Sequence, residues 1–283
     1  MTAPGQGQPT RSVLMTGCSS GIGYHAAHTL SARGWQVFAT CRSQRDCDRL
    51  IAEGLQSFRL DYTDPDSMQA ALDAVLAQTG GRLDALFNNG AYAIPGATED
   101  LPTDALRALF ETNLFGWHHL TRLVLPVMRA QGHGRIVQCS SVLGLAGLKW
   151  RGAYVATKHA LEGLSDVLRL EMRDTGIKVV LIEPGPITSH IRQNSIPHFE
   201  RWIDWENSPR ADEYRNNLLA RLYHKTAPDR FELGPEAVTK RLIAALEHAN
   251  PRPRYYVTKA THLVGAARRV LPGRTFDWLA ARL

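Results

Sequence analysis

The 283-residue sequence contains no run of about 18 apolar residues, so none of its segments is expected to cross a bilayer as a helix. Residues Met1–Gln8 are polar and carry no hydrophobic signal region, which argues against secretion and predicts a cytosolic protein. Cysteine is scarce: Cys18, Cys41, Cys47 and Cys139 show no Cys-x-x-Cys spacing and stand beside no metal-ligand pattern. That scatter points to reduced packing residues, not to disulfides or a zinc site, and no metal is expected. No internal repeat or low-complexity tract occurs, and at 44% hydrophobic content the default is one large α/β domain. The formal charge is +6, with 17 basic and 17 acidic residues in 1–191 against 16 and 10 in 192–283. The C-terminal excess is spread out and interrupted by acids, so a solvated surface is expected and a nucleic-acid partner is not.

What is present is a regular alternation. After a leader over 1–10 read as disordered, Arg11–Met15 reads as a buried strand that leads into Thr16-Gly17-Cys18-Ser19-Ser20-Gly21-Ile22-Gly23 and a helix to about Ala32. Strands follow at Trp35–Thr40, Gln56–Leu60 and Leu83–Phe87, with helices at about Gln44–Glu53 and Pro65–Gln78 between them. Pro102–Ala130 reads as one long helix bent at Pro126, and Gly134–Cys139 as a fifth strand. Ala153–Met172 has helical apolar spacing, Ile177–Ile182 is a sixth strand, Pro235–His248 a helix and Arg254–Thr258 a last strand. Alternating strands and helices imply a parallel sheet with right-handed crossovers.

The chain is organised around the segment from Gly134 to Leu170. Its strand ends in hydroxyls at Ser140 and Ser141, and Tyr154 and Lys158 follow at i and i+4 of a helix, on one face. A free phenol has a pKa of about 10; an ammonium beside it favours the phenolate and makes a proton exchanger for an alcohol or carbonyl oxygen. Tyr255 and Lys259 repeat the spacing, but Tyr255-Tyr-Val-Thr reads as a strand, where i and i+4 stand about 13 Å apart. Tyr255 is therefore expected to be an ordinary packed tyrosine.

Around this pair, four loops offer binding groups. Gly17, Ser19, Ser20, Gly21, Ile22 and Gly23 join a strand to a helix start, where glycines allow close approach and free N–H groups can hold a pyrophosphate. Asp61 follows the third strand, either receiving an adenine amino group or serving as a turn or cap aspartate. Asn88-Asn89-Gly90-Ala91 closes the fourth strand as a cofactor loop or as ordinary turn chemistry. Asn113 faces inward on its helix, holding a relay water or else bending the helix. Pro184 and Gly185 leave the sixth strand at its carboxyl end, where open α/β sheets bind ligands.

Taken together, Thr16-x-x-x-Gly-Ile-Gly, Asn88-Asn-Gly, Asn113, Ser141, Tyr154-x-x-x-Lys158 and Pro184-Gly185 resemble the short-chain dehydrogenase/reductase family over about residues 11–258. The resemblance implies an α/β, three-layer Rossmann fold with a doubly wound parallel sheet of about seven strands. It implies Tyr154 as general acid/base, Ser141 orienting the substrate oxygen, and Lys158 lowering the tyrosine pKa and binding the nicotinamide ribose. Asn113 would hold the relay water and Thr188 would contact the carboxamide. The order Asn-Asn-Gly-Ala, in place of the commoner Asn-Asn-Ala-Gly, is similar to steroid and retinol dehydrogenases and implies a bulky apolar alcohol or carbonyl substrate. A reading from another class, a non-catalytic dinucleotide sensor, is opposed by the intact Asn, Ser, Tyr and Lys set.

The cofactor expected is NADP(H), because Ala39-Thr40-Cys41-Arg42-Ser43 has no carboxylate where an NAD enzyme receives the ribose hydroxyls. Arg42 offers a planar donor set for a 2′-phosphate, with Ser43 as an added hydroxyl, unless it is a surface arginine. Residues 190–231 carry Phe199, Trp202, Trp205, Tyr214, Tyr223 and Phe231 and read as a substrate lid with a helix near Ala211–Lys225, or as core or subunit packing. Residues 259–283 form an amphipathic helical extension that either docks on its own domain or a second subunit, or touches a membrane. Family resemblance implies a homodimer or homotetramer.

Overall fold

In the computed structural model, which describes residues 10–224 and 227–281, the strand segments assemble into one sheet in the order β3-β2-β1-β4-β5-β6-β7, with every pairing parallel. The strands are β1 (Ser12–Met15), β2 (Gln36–Cys41), β3 (Gln56–Arg59), β4 (Ala85–Asn88), β5 (Gly134–Cys139), β6 (Ile177–Glu183) and β7 (Arg254–Tyr256). β1, β4 and most of β2, β5 and β6 are buried along their whole length, as expected of strands covered on both faces. The expected leader falls on residues 1–9, outside the described residues, plus Thr10. β7 is two residues shorter than expected, because Thr258 leaves the sheet to cap the next helix through the Thr261 amide.

Helices α1 (Gly21–Ala32), α2 (Gln44–Ala52) and α3 (Pro65–Thr79) connect the first four strands. Ser43 and Asp64 cap α2 and α3 by accepting from the amides of Asp46 and Ser67. The long helical stretch after β4 is not one helix bent at Pro126. It divides into α4 (Thr103–Phe110), a π turn at Glu111–Phe115 and α5 (Gly116–Gln131), and Pro126 lies inside α5 without ending it. The interruption is centred on Asn113. α6 (Gly152–Glu171) follows β5, and α10 (Glu236–Glu247) packs against α1.

The lid is α7 (Ile191–Trp202), then the short α8 (Ala211–Glu213), a π turn at Tyr214–Leu219 and α9 (Ala220–Tyr223). α7 was not anticipated in the sequence, and the helix expected to reach Lys225 ends at Tyr223, Lys225 itself lying outside the described residues. The two ends of the lid are tied together, since Thr188 N donates to Leu233 O at 2.9 Å and Leu233 N to Pro186 O at 3.2 Å. Its apolar side forms a second core, separate from the main sheet core, in which Phe199, Ile203, Tyr214, Leu218 and Leu222 meet Ala105, Leu109 and Ala153. The extension is α11 (Lys259–Val270) and α12 (Gly273–Ala280), which pack on each other and, through α11, on the turn after β5.

Candidate active site

The strand order reverses between β1 and β4, and the carboxyl ends of these two strands open a crevice there. The glycine loop and the loop after β4 are fastened to each other across it. Thr16 Oγ1 accepts from Asn89 N at 2.9 Å and Gly90 N at 3.2 Å and shares a 2.7 Å hydrogen bond with the Tyr62 hydroxyl. Asn89 Nδ2 donates to Thr16 O and Gly17 O, and Trp117 Nε1 donates to Gly90 O at 2.8 Å. Buried Asn88 completes the hub, accepting from Tyr62 and donating to Thr121. Asn88, Asn89 and Gly90 thus hold the glycine loop in place and do more than form a turn.

The loop is shaped for a close-fitting anion. Gly17 has φ +66°, and a Cβ there would stand 2.5 Å from Gly90 Cα; a Cβ on Gly23 would stand 2.3 Å from Gly17 O. Only glycine fits at either position. Ser20 starts α1 without a side-chain cap, and no acid occupies the first turn, so the free amides and the positive end of the helix face the loop. A pyrophosphate fits this cradle. Ser19, Ser20, Gly21 and Ile22 lie along it, and Ser19 O is held by Arg49 at 2.6 Å.

Arg42 follows β2 directly, with no carboxylate in the strand end before it. Ser43 is not a free hydroxyl: it donates to Asp46 Oδ2 at 2.6 Å and accepts from the Asp46 amide. Asp61 spends Oδ1 on the amide and hydroxyl of Thr63. Thr188 donates its hydroxyl to Glu232 Oε1 at 2.8 Å. Pro184 O accepts from Val142 N at 2.7 Å and so joins the end of β6 to the loop that carries Ser141.

Tyr154 and Lys158 share one face of α6. Lys158 is fully buried, donates to Cys139 O at 2.9 Å and lies 4.2 Å from the Trp117 ring centroid and 5.5 Å from that of Tyr154. Burial draws the Lys158 pKa down to about 8, with Cys139 and Glu162 opposing. The phenol of Tyr154 moves the other way: burial pushes it above the ordinary tyrosine value, while the Ser141 hydroxyl and the Arg151 charge pull it back. Burial dominates, and the lowering influences come from Ser141 and Arg151 and not, as expected, from Lys158. Ser141 starts the turn Val142–Gly144 by accepting from Leu143 N at 3.1 Å, and this capping turn directs its hydroxyl at Tyr154.

Asn113 lies in the π turn beside α6, fully buried. Its Oδ1 accepts from Tyr92 N at 3.2 Å, and its Nδ2 donates to Tyr92 O at 2.9 Å and to Thr157 Oγ1 at 3.5 Å. Both ends of this side-chain amide in the π turn thus meet protein partners.

Behind Ser141 lies a buried cluster of acids. Arg254 on β7 binds Asp166 in bidentate fashion, and its guanidinium is 3.0 Å from Glu162 and 3.4 Å from Glu183. Arg169 also binds Asp166, at 2.8 Å, which leaves Arg254 as the guanidinium facing both Glu162 and Glu183; burial first, then the charge of Glu162, raises Glu183 to about 9. Burial raises Glu162 as well, with Ser140 and Arg254 opposing. Tyr62, Trp117, Arg151 and this acid pair were not picked out from sequence; Glu183 at the end of β6 and Arg151 one turn before Tyr154 carried a local signal, and Tyr62, Trp117 and Glu162 did not. Tyr255 is packed in the main core as expected, and its hydroxyl accepts from Arg252 N at 3.1 Å.

A doubly wound sheet with a glycine cradle at its switch point and a Ser, Tyr, Lys set beside it defines a dinucleotide-binding oxidoreductase. The chain belongs to the short-chain dehydrogenase family, whose model matches residues 11–199. It is 40% identical over 267 residues to the uncharacterized oxidoreductase YbbO of Escherichia coli K12, covering 94% of this chain and 93% of that one. It is 31% identical over 261 residues to human 17-beta-hydroxysteroid dehydrogenase type 1, covering 87% and 77%. A short-chain dehydrogenase structure from Streptomyces avermitilis superposes with a TM-score of 0.74 at 28% identity over 97% of this chain and 95% of that one. The family binds a nicotinamide dinucleotide, and the cradle and buried Lys158 fit one.

Proposed function

We propose that the protein is an NADP(H)-dependent oxidoreductase that interconverts a bulky, apolar secondary or primary alcohol and its ketone or aldehyde. The observation that carries this reading is the convergence of Ser141, Tyr154 and buried Lys158 beside the glycine cradle. When bound, the nicotinamide supplies or accepts the hydride. Ser141 orients the substrate oxygen, and Tyr154 gives that oxygen its proton in reduction and takes it back in oxidation. Lys158 has N–H groups beyond the one on Cys139 O for the ribose hydroxyls, and its charge favours the phenolate that remains. Ser19, Ser20, Gly21 and Ile22 would hold the pyrophosphate and Arg42 the 2′-phosphate; Asp61, with one free oxygen, and Thr188 would flank the adenine and carboxamide ends.

Tyr92, Trp150, Ile196 and Trp202 pack with Tyr154 against the lid core, which supports an apolar substrate body. The steroid named for the human relative is such a body. Following nicotinamide absorbance with a panel of ketones and aldehydes tests the activity: oxidation of NADPH by bulky carbonyls is expected, and inertness toward the whole panel opposes the reading. A cytosolic homo-oligomer also fits, because Leu164, Val167 and Leu170 form an exposed apolar stripe on α6, at 41%, 52% and 59% exposure. Light scattering should give a dimer or tetramer that Val167→Glu dissociates; a monomeric wild type opposes this.

A further inference from the structure

We propose that Arg151, with Arg192 and Arg221, binds an anionic group on the substrate, so that the preferred substrate is an oxo acid with an apolar body and a carboxylate, not a neutral carbonyl compound. The inference rests on the assignment of Tyr154 and extends it to substrate class.

Arg151 starts α6 three residues before Tyr154, one helical turn away on the same side. Among the described residues its guanidinium has no hydrogen-bond or ion-pair partner. The backbone holds it there under strain: Trp150, a bulky residue, sits at φ +67°. Trp150 is fixed by the hydrogen bond from Gly96 N to its carbonyl at 3.0 Å and by its ring, 4.7 Å from that of Tyr214.

The lid brings two more arginines to this corner. Arg221 of α9 donates to Asp229 at 3.0 Å, and Arg192 of α7 reaches the other oxygen of the same carboxylate at 3.6 Å. Burial first, then the charges of Arg221 and Arg192, lower the Arg151 pKa to about 10, with Tyr154 and Asp229 opposing. Glu232, the nearby second carboxylate, is already engaged by Thr188 Oγ1 and the Asp229 amide. Arg192 and Arg221 thus share the Asp229 carboxylate, while Arg151, one turn before the acid/base residue, has no carboxylate in hydrogen-bond reach among the described residues. A carboxylate on the substrate would supply the missing charge and use the planar donor set of Arg151. It would also set the distance between the charged end and the carbonyl that reaches Tyr154.

Anion recognition here has a second source, the cofactor pyrophosphate, because Ser189, just before α7, lies 3.2 Å from where a Cβ on Gly21 would be. The test separates the two. NADPH-dependent reduction of 4-acetylbenzoate and of its methyl ester is compared in wild type, Arg151→Met and Arg151→Lys, and NADPH affinity is measured by fluorescence. A hydrogen-bonded charge pair corresponds to about 10- to 150-fold in preference, so wild type should favour the acid by at least the lower figure in kcat/KM. Arg151→Met should bring that ratio near unity and Arg151→Lys should restore part of it, with NADPH affinity little changed. A wild-type preference for the ester, or a ratio undiminished in Arg151→Met, overturns the proposal. So does loss of NADPH affinity with the ratio intact, which would give the arginines to the cofactor. If Arg151→Met fails to fold, Arg221→Met, at an exposed site, should still lower the ratio. If neither compound is reduced, the activity reading has failed separately, and tryptophan quenching decides the anion site: tighter acid than ester binding in wild type supports it, equal binding overturns it.

Discussion

Two stretches of this chain carry Tyr-x-x-x-Lys, and they have opposite fates. Tyr154 and Lys158 lie on α6, where four residues advance the chain by about one turn and bring the side chains together beside Ser141. Tyr255 lies in β7, paired in register with Ile182, and Lys259 begins the following helix α11. Tyr255 fills the core and finds a backbone partner, while Tyr154 faces a buried cation. A motif is a distance in sequence, and only the local period turns it into a distance in space. The two stretches also touch, since Arg254, next to Tyr255, binds Glu162 and Asp166 one and two turns beyond Lys158.

The comparison can be broken most severely at Tyr154. Tyr154→Phe should lower kcat by about 10²- to 10⁴-fold, the range ascribed to a positioned acid/base. At the cofactor end of the same crevice, wild type should bind NADP(H) about 10- to 150-fold more tightly than NAD(H), and Arg42→Ala should erase most of that ratio in paired dissociation constants. A preference for NAD(H), or one unmoved by the substitution, would assign the ribose to another residue.

A smaller effect is expected where the two stretches meet. The folded-state pKa of Glu183, about 9, lies above its ordinary value, so the stability tied to its protonated form is complete at low pH and lost as pH rises through about 9. Glu183→Gln imitates that protonated form at every pH. Its Tm should match wild type near about pH 5 and exceed it by a growing margin toward about pH 9. Parallel melting curves across that range would mean that Glu183 does not hold a proton in the folded state. The smallest effect belongs to Tyr255→Phe, which should leave kcat/KM unchanged, since the lost hydroxyl accepts from the Arg252 amide, away from Tyr154.

The sheet was legible because its strands are apolar runs alternating with helices, and each buried strand announces itself without help from neighbours. The glycine cradle and the Ser141, Tyr154, Lys158 set were legible for a similar reason: their spacing is fixed by local turns. What was missed depends on contacts distant in sequence. The break at Asn113 is stabilised by Tyr92 and Thr157, the hub on Thr16 needs Tyr62 from another strand end, and α7 buries Phe199 in a core with Ala105, Leu109 and Ala153. The rise in the Tyr154 pKa was also hidden, because burial is a property of the assembled pocket.

Rapid mixing of NADPH-loaded protein with a bulky ketone, following nicotinamide absorbance through a single turnover, tests the central claim most directly. Wild type and Tyr255→Phe should transfer hydride at the same rate, and Tyr154→Phe should bind NADPH normally yet fail to transfer it. Equal rates in the two variants, or transfer by Tyr154→Phe at the wild-type rate, would contradict the assignment of Tyr154 as the proton donor.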